Sequence, residues 1–172
     1  MNHNFRGTGV ALVTPFNADG TIDFNGLTKL VELQISGGTD FLVVQGTTGE
    51  YATLSENEKV KCREAFVKAN EGRVPLVIGI GSNYTDYLVD YINKSDLTGF
   101  SALLSVSPYY NKPTQEGLFP HFSKLALSSK LPIILYNVPS RTGCNMDPKT
   151  TIRLAKKFKN IIGIKEAKGD LK

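Results

Sequence analysis

Lys165 closes the apolar run Asn160-Ile161-Ile162-Gly163-Ile164 and is followed by Glu166-Ala167. The run has the length and content of a parallel strand buried on both faces. An amine at the tip of such a strand is desolvated. Desolvation lowers a lysine pKa towards the range where the free amine attacks carbonyl carbons. Pairing with Glu166, or extension of the side chain to solvent, is the structural alternative.

Other chemistry-bearing residues also stand at the ends of apolar runs. Tyr136 ends Pro132-Ile133-Ile134-Leu135-Tyr136, and Tyr110 lies just beyond Ala102-Leu103-Leu104-Ser105-Val106. A phenol beside an amine can shuttle protons while a carbinolamine forms and dehydrates. Thr47 and Thr48 lie in Gly46-Thr47-Thr48-Gly49-Glu50, directly after Phe41-Leu42-Val43-Val44. The glycines permit a tight turn, and its backbone N–H groups and hydroxyls suit a small carboxylate. It is not a phosphate loop, since no GxxxxGK[ST] pattern is present. Arg141 sits in Ser140-Arg141-Thr142-Gly143, where a guanidinium suits a carboxylate through two parallel hydrogen bonds. Taken singly these could be an ordinary turn, rim tyrosines and a surface arginine.

The elements that must position these groups recur along the chain. Apolar runs begin near residues 9, 41, 75, 101, 132 and 161, at intervals of 26 to 34 residues. One strand with its crossover helix needs about 30 residues. Helix signals fill the intervals. Leu27, Leu30 and Val31 have helical spacing, as do Leu88, Tyr91 and Ile92, and Leu118, Phe122 and Leu125. Ser55 and Glu58 form a capping box, and Asp147-Pro148 combines an N-cap with proline at the first helical position. Five such units plus a sixth strand make either an open doubly wound sheet or part of a (β/α)8 barrel. Both fold types gather chemistry at the carboxyl ends of strands. Here five of the six runs end in polar groups, a distribution that favours the barrel.

Composition narrows the classes. The chain has 172 residues, 41% hydrophobic and 21% charged, with a formal net charge of +4. Its 20 Lys and Arg are interspersed with 16 acids, without a basic block, so nucleic acid and membrane-surface roles are not indicated. Cys62 and Cys144 form no CxxC and lie beside no histidine cluster, which argues against a disulfide framework and a metal site. Cys62 shares helical spacing with Phe66 and Ala69, as a small core residue would. The start, Met1-Asn2-His3-Asn4-Phe5-Arg6, lacks the apolar core of a secretory leader, and no run approaches a membrane span. A cytoplasmic protein is expected.

Five segments in order resemble the dihydrodipicolinate synthase family, within the class I pyruvate-dependent aldolases. They are Gly9-Val10-Ala11-Leu12-Val13-Thr14-Pro15-Phe16, Gly46-Thr47-Thr48-Gly49-Glu50, Pro108-Tyr109-Tyr110-Asn111-Lys112-Pro113, Tyr136-Asn137-Val138-Pro139-Ser140-Arg141-Thr142-Gly143 and Gly163-Ile164-Lys165-Glu166-Ala167. The resemblance implies a (β/α)8 barrel and condensation of pyruvate with L-aspartate 4-semialdehyde, on the route to diaminopimelate and lysine. It implies that Lys165 forms the Schiff base and Tyr136 is its acid/base. Thr47 would relay protons between Tyr136 and a Tyr110 contributed across a subunit contact. Thr47 and Thr48 would hold the pyruvate carboxylate, and Arg141 that of the semialdehyde. No metal or cofactor is implied, and a homotetramer is. N-acetylneuraminate lyase and keto-deoxy-sugar-acid aldolases share the lysine and a GxTGE-type turn. The Tyr109-Tyr110 pair and the Ser140–Gly143 segment favour a small anionic second substrate over a polyol.

The chain departs from the family pattern in two respects. Residues 1–172 would hold only strands one to six and helices one to five of a barrel. A chain of that extent is expected to be inactive and to associate through the open edges of its first and sixth strands. At the family's lysine effector cleft, Asn83 and Tyr109 match, but Tyr87 stands where a glutamate is expected. Glu56 and Lys59 occupy positions that are histidines in some members. The carboxylate for an effector ammonium is missing, which argues against feedback by lysine.

Overall fold

The computed structural model describes residues 5–170. The first four residues, read above for a leader, lie outside the described ones. The chain divides into two compact units, one running to Gly79 with Thr98–Ser101 added, the other holding Ile80–Leu97 and the chain from Ala102 onward.

In the first unit, β1 (Gly9–Ala11), β2 (Phe41–Val44) and β3 (Leu76–Gly79) pair in parallel in chain order. Helix α1 (Phe24–Ser36) starts where the Asp23 carboxylate accepts the Gly26 N–H at 2.8 Å, and it buries Leu27 and Val31. Helix α2 (Glu56–Asn70) opens on the expected capping box of Ser55 and Glu58. Cys62 and Phe66 are wholly buried on its inner face, and Ala69 nearly so. Burial and the neighbouring Glu58 raise the Cys62 thiol to about 11, so it is an inert core residue. Leu42, Val44, Val77 and Ile78 complete the apolar centre. Their near-continuous apolar sequence is that of strands covered on both faces.

In the second unit, β4 (Ala102–Val106), β5 (Ile133–Asn137) and β6 (Ile161–Glu166) also pair in parallel in chain order. Helices α3 (Thr85–Lys94), α4 (Gln115–Ser128), α5 (Pro139–Thr142) and α6 (Pro148–Lys157) accompany them. Leu88, Leu118, Phe122, Leu125, Ile133, Leu135 and Leu154 form the core. The expected start of α6 holds in position, although the Asp147 side chain makes no cap hydrogen bond. Thr114 caps α4 through Gly117 N–H at 3.2 Å, and Pro148 is the first residue of α6. Five helices were expected, whereas the described residues contain six α-helices and a 3-10 turn at Tyr51–Thr53. The extra α-helix is α5, a single turn inside the Ser-Arg-Thr-Gly segment that reads as loop in the sequence. Its hydrogen bonds run from Thr142 N–H to Val138 and from Gly143 N–H to Pro139. Gly143 ends it with φ +71°, a left-handed conformation that glycine accepts without a Cβ clash. Among the described residues, no helix is long and apolar enough to cross a membrane.

The sixth strand corrects the sequence expectation. Only Ile161 is buried; Ile162, Gly163, Ile164, Lys165 and Glu166 are exposed. Among the described residues, β6 has a strand neighbour on one side only, β5. An apolar run implies burial on both faces only if neighbouring elements cover both faces.

One buried group gives α3 and α4 a pH dependence. The His121 ring on α4 is 4% exposed, and its Nδ1 hydrogen bonds to the Thr85 hydroxyl at 2.8 Å. Its Nε2 is buried without a partner among the described residues, and burial lowers the ring pKa to about 4. An unfolded histidine titrates near 6.5. The unfolded chain therefore binds the extra proton first, and stability is lost as pH falls from about 6.5 towards 4. The maximum contribution is about 3 kcal/mol. Denaturant titrations at pH 6.5 and 4.5 should show this loss, and His121→Gln should remove most of it. An unchanged pH slope in the variant would assign the loss to carboxylates.

Candidate active site

The second unit brings Lys165 and Tyr136 together. They are register partners at the ends of β6 and β5, and the Lys165 Nζ lies 4.7 Å from the centroid of the Tyr136 ring. Tyr136 is 7% exposed, so its ring is a fixed floor under a solvent-facing amine. The Ser107 N–H and hydroxyl both donate to the Tyr136 carbonyl, at 3.0 and 3.4 Å. This pins β5 to the end of β4. Burial of Lys165 was expected, and the side chain is exposed instead. Pairing with Glu166 is not what holds the lysine either. The Glu166 carboxylate accepts from Asn137 Nδ2 at 3.1 and 2.9 Å and from the Lys168 N–H at 2.8 Å.

Arg141 lies on α5, two residues before its glycine terminus, and is exposed. The segment after it is held by polar ties. Asn137 Oδ1 accepts the Met146 N–H at 2.9 Å, and Asn137 Nδ2 donates to Asn145 Oδ1 at 2.9 Å. Gln115 on α4 donates to the Asn145 carbonyl at 2.7 Å and accepts from the Asp147 N–H and the Thr150 hydroxyl, at 3.0 and 2.6 Å. Cys144 Sγ meets the Pro108 carbonyl at 3.5 Å. Asn137, Asn145 and Gln115 had no role assigned from sequence. The available signal was an asparagine directly after an apolar run; the structure buries it wholly, and its amide then needs partners.

Tyr110 follows β4 with φ +70°, and Lys112 has φ +50°. Two non-glycine residues in the left-handed region within three positions mark a constrained turn. Tyr110 projects outward, 86% exposed, and Tyr109 is 39% exposed. On α3, Tyr87 packs against Tyr91 with ring centroids 6.0 Å apart. Glu56 and Lys59 pair with each other at 2.8 Å on α2.

Thr47 and Thr48 belong to the first unit, in the turn after β2, and both are exposed. The turn is held by Gly49 N–H to Gly46 and Glu50 N–H to Thr47, each at 3.1 Å. The buried Thr14 hydroxyl donates to the Gly49 carbonyl at 2.7 Å. The left-handed residues here are not the glycines but Gln45 and Glu50, each at φ +53°. Buried Gln45 donates from Nε2 to the Lys59 carbonyl on α2 at 2.6 Å. Gly79 makes room for it: a Cβ there would lie 2.4 Å from the Gln45 carbonyl oxygen. The turn thus presents two hydroxyls on a backbone fixed from β1, α2 and β3. Such a turn suits an anion of carboxylate size.

Comparison with known proteins shows the family and the fold. Residues 4–172 match the family model described as the dihydrodipicolinate synthetase family. The chain is 57% identical over 167 residues to the 4-hydroxy-tetrahydrodipicolinate synthase of Flavobacterium psychrophilum, covering 97% of this chain and 57% of that protein. To the synthase of Bacillus subtilis it is 47% identical over 168 residues, covering 98% of this chain and 58% of that protein. A crystal structure of the chloride-inhibited dihydrodipicolinate synthase of Acinetobacter baumannii, complexed with pyruvate, superposes with a TM-score of 0.93 at 43% identity. That match covers 98% of this chain and 57% of the other. The chain therefore spans a little over half the length of the curated relatives it matches. The fold class is α/β, with six parallel strands and their helices forming part of a (β/α)8 barrel.

Proposed function

The chain belongs to the dihydrodipicolinate synthetase family, and from that premise we propose that it serves a lyase condensing pyruvate with L-aspartate 4-semialdehyde to 4-hydroxy-tetrahydrodipicolinate. The observation that carries this is the Lys165 amine resting on the Tyr136 ring at adjacent strand ends. The amine adds to the ketone of pyruvate and water leaves, giving an imine. Loss of a methyl proton gives the enamine, whose carbon attacks the aldehyde of the second substrate. Tyr136 gives and takes the protons of imine formation, with Thr47 and a Tyr110 from a neighbouring subunit as relay. Thr47 and Thr48 hold the pyruvate carboxylate, and Arg141 that of the semialdehyde. The protonated imine formed on the lysine is the electron sink that takes up the pair left by the methyl proton, so the chemistry calls for no organic cofactor. The setting is a cytoplasmic homotetramer on the diaminopimelate and lysine route.

The test, made with these residues set in a barrel of the relatives' length, is turnover of pyruvate with L-aspartate 4-semialdehyde, against turnover with N-acetylmannosamine or a sugar-acid aldehyde. Condensation with the semialdehyde alone is expected. Preference for the polyol would move the chain to the sugar-acid aldolases. Arg141→Ala should raise the KM for the semialdehyde and leave pyruvate capture nearly intact. For an exposed guanidinium the loss should be near the low end for charge pairs, about 2 kcal/mol or roughly 30-fold. Equal damage to both substrates would assign the arginine to holding α5.

A further inference from the structure

The ends of β5 and β6 are two-faced. Successive side chains on a strand point to opposite faces, so the pairs Tyr136–Lys165 and Asn137–Glu166 occupy opposite sides of the sheet. This pairing depends on an irregularity. Ile133 partners Ile161, but Ile134 partners Gly163, so Ile162 is an extra residue in β6. In an unbroken register Tyr136 would partner Ile164, and Lys165 would fall beside Asn137, on that residue's face. A slip of one residue moves every side chain to the other face, and bulges beside reactive groups re-aim them in this way. The bulge thus creates the lysine–tyrosine pair. It lies three residues before Lys165, and the shifted register has to be held at the tip for the pair to persist.

The structure assigns that task to Asn137, which we infer to be a positioning residue for Lys165; the inference rests on the proposed Schiff-base role of that lysine. Asn137 is fully buried, and its amide reaches both oxygens of Glu166, the residue adjacent to the nucleophile. Its carbonyl side is fixed independently by the Met146 N–H, and its backbone carbonyl accepts the Ala167 N–H at 2.9 Å. Two ties, one from the Asn137 side chain to the last residue of β6 on the face opposite the chemistry and one from its backbone carbonyl to the residue just after the strand, clamp the tip in the bulged register. An apolar residue at 137 would fill the space and leave the Glu166 carboxylate without its amide donor. An aspartate would set two carboxylates against each other.

The test uses the full chain and two readouts. One is the ring-current shift of the Lys165 ε-methylene, recorded with [ε-13C]lysine and assigned by Lys165→Arg. The other is the rate at which pyruvate and borohydride label Lys165. Asn137→Asp should abolish the ring-current shift at neutral pH and slow labelling roughly 100-fold, the scale of a misplacement of about 1 Å. Asn137→Asp/Glu166→Gln rebuilds the amide–carboxylate pair with its donor and acceptor exchanged, and should recover most of both. Unchanged readouts in Asn137→Asp would overturn the inference. So would a loss that the double variant does not repair, which belongs to a general structural role. An unaltered chain that shows the ring-current shift but is never labelled would refute the Schiff-base role alone, and the shift would still decide the positioning claim.

Discussion

Lys165→Ala will remove covalent capture of pyruvate. With borohydride present, the unaltered chain should gain the mass of one reduced pyruvate adduct, mapped to the peptide that carries Lys165. The variant should gain none above the borohydride-only control. The amine is the only atom of Lys165 that can form the imine, so truncation removes the covalent route altogether. Deleting a covalent nucleophile costs on the order of 10⁶-fold in kcat where it has been measured. Cooperative thermal unfolding should change little, because the side chain is exposed and its contact with the Tyr136 ring is of the weak, solvent-facing kind. Persistent labelling of the variant would move the nucleophile elsewhere. Lys168, three residues on and paired with Asp170 at 3.0 Å, would be the first to map.

In a barrel of the relatives' length, Tyr136→Phe should lower kcat by about 10²–10⁴-fold, the usual contribution of a positioned acid or base. The ring survives this change, so the floor under the Lys165 amine and the packing of a residue only 7% exposed are kept. What is lost is the phenolic proton. Labelling should therefore become slow but stay on Lys165, whereas Lys165→Ala should give none at any time. Stability measured in parallel should shift by less than activity does. A kcat equal to that of the unaltered protein would make Tyr136 a packing residue and leave the proton transfers to water.

Much of the architecture was legible because it depends on short-range regularities. The six apolar runs place all six strands to within a residue or two at their starts, and Ser55 with Glu58 marks the start of α2. Cys62, Phe66 and Ala69 share one helical face, which is enough to put the thiol in the core. The family was legible too, since its five segments stand in order at strand ends. The turn chemistry was less so. The GTTGE glycines were read as its special backbone positions, yet Gln45 and Glu50 carry the positive φ values. Gln45 is held there by a carbonyl on α2 and by the room that Gly79 leaves, and neither is adjacent in sequence. The single turn of α5 was missed because a short helix with proline first and glycine last is indistinguishable by composition from a loop.

The sequence by itself determined the alternation of strand and helix, the residues available for chemistry and their placement at strand ends, because periodicity and capping act within a few residues. Tertiary structure decided what surrounds those residues. Ile161 to Ile164 are as apolar as any strand here, but burial depends on covering neighbours, and β6 has one strand partner among the described residues. The pairing of Lys165 with Tyr136 hangs on one extra residue in β6 and on an amide–carboxylate tie from the opposite face. A register is a relation between two strands, settled by the hydrogen bonds they exchange, and no local pattern in either strand contains it.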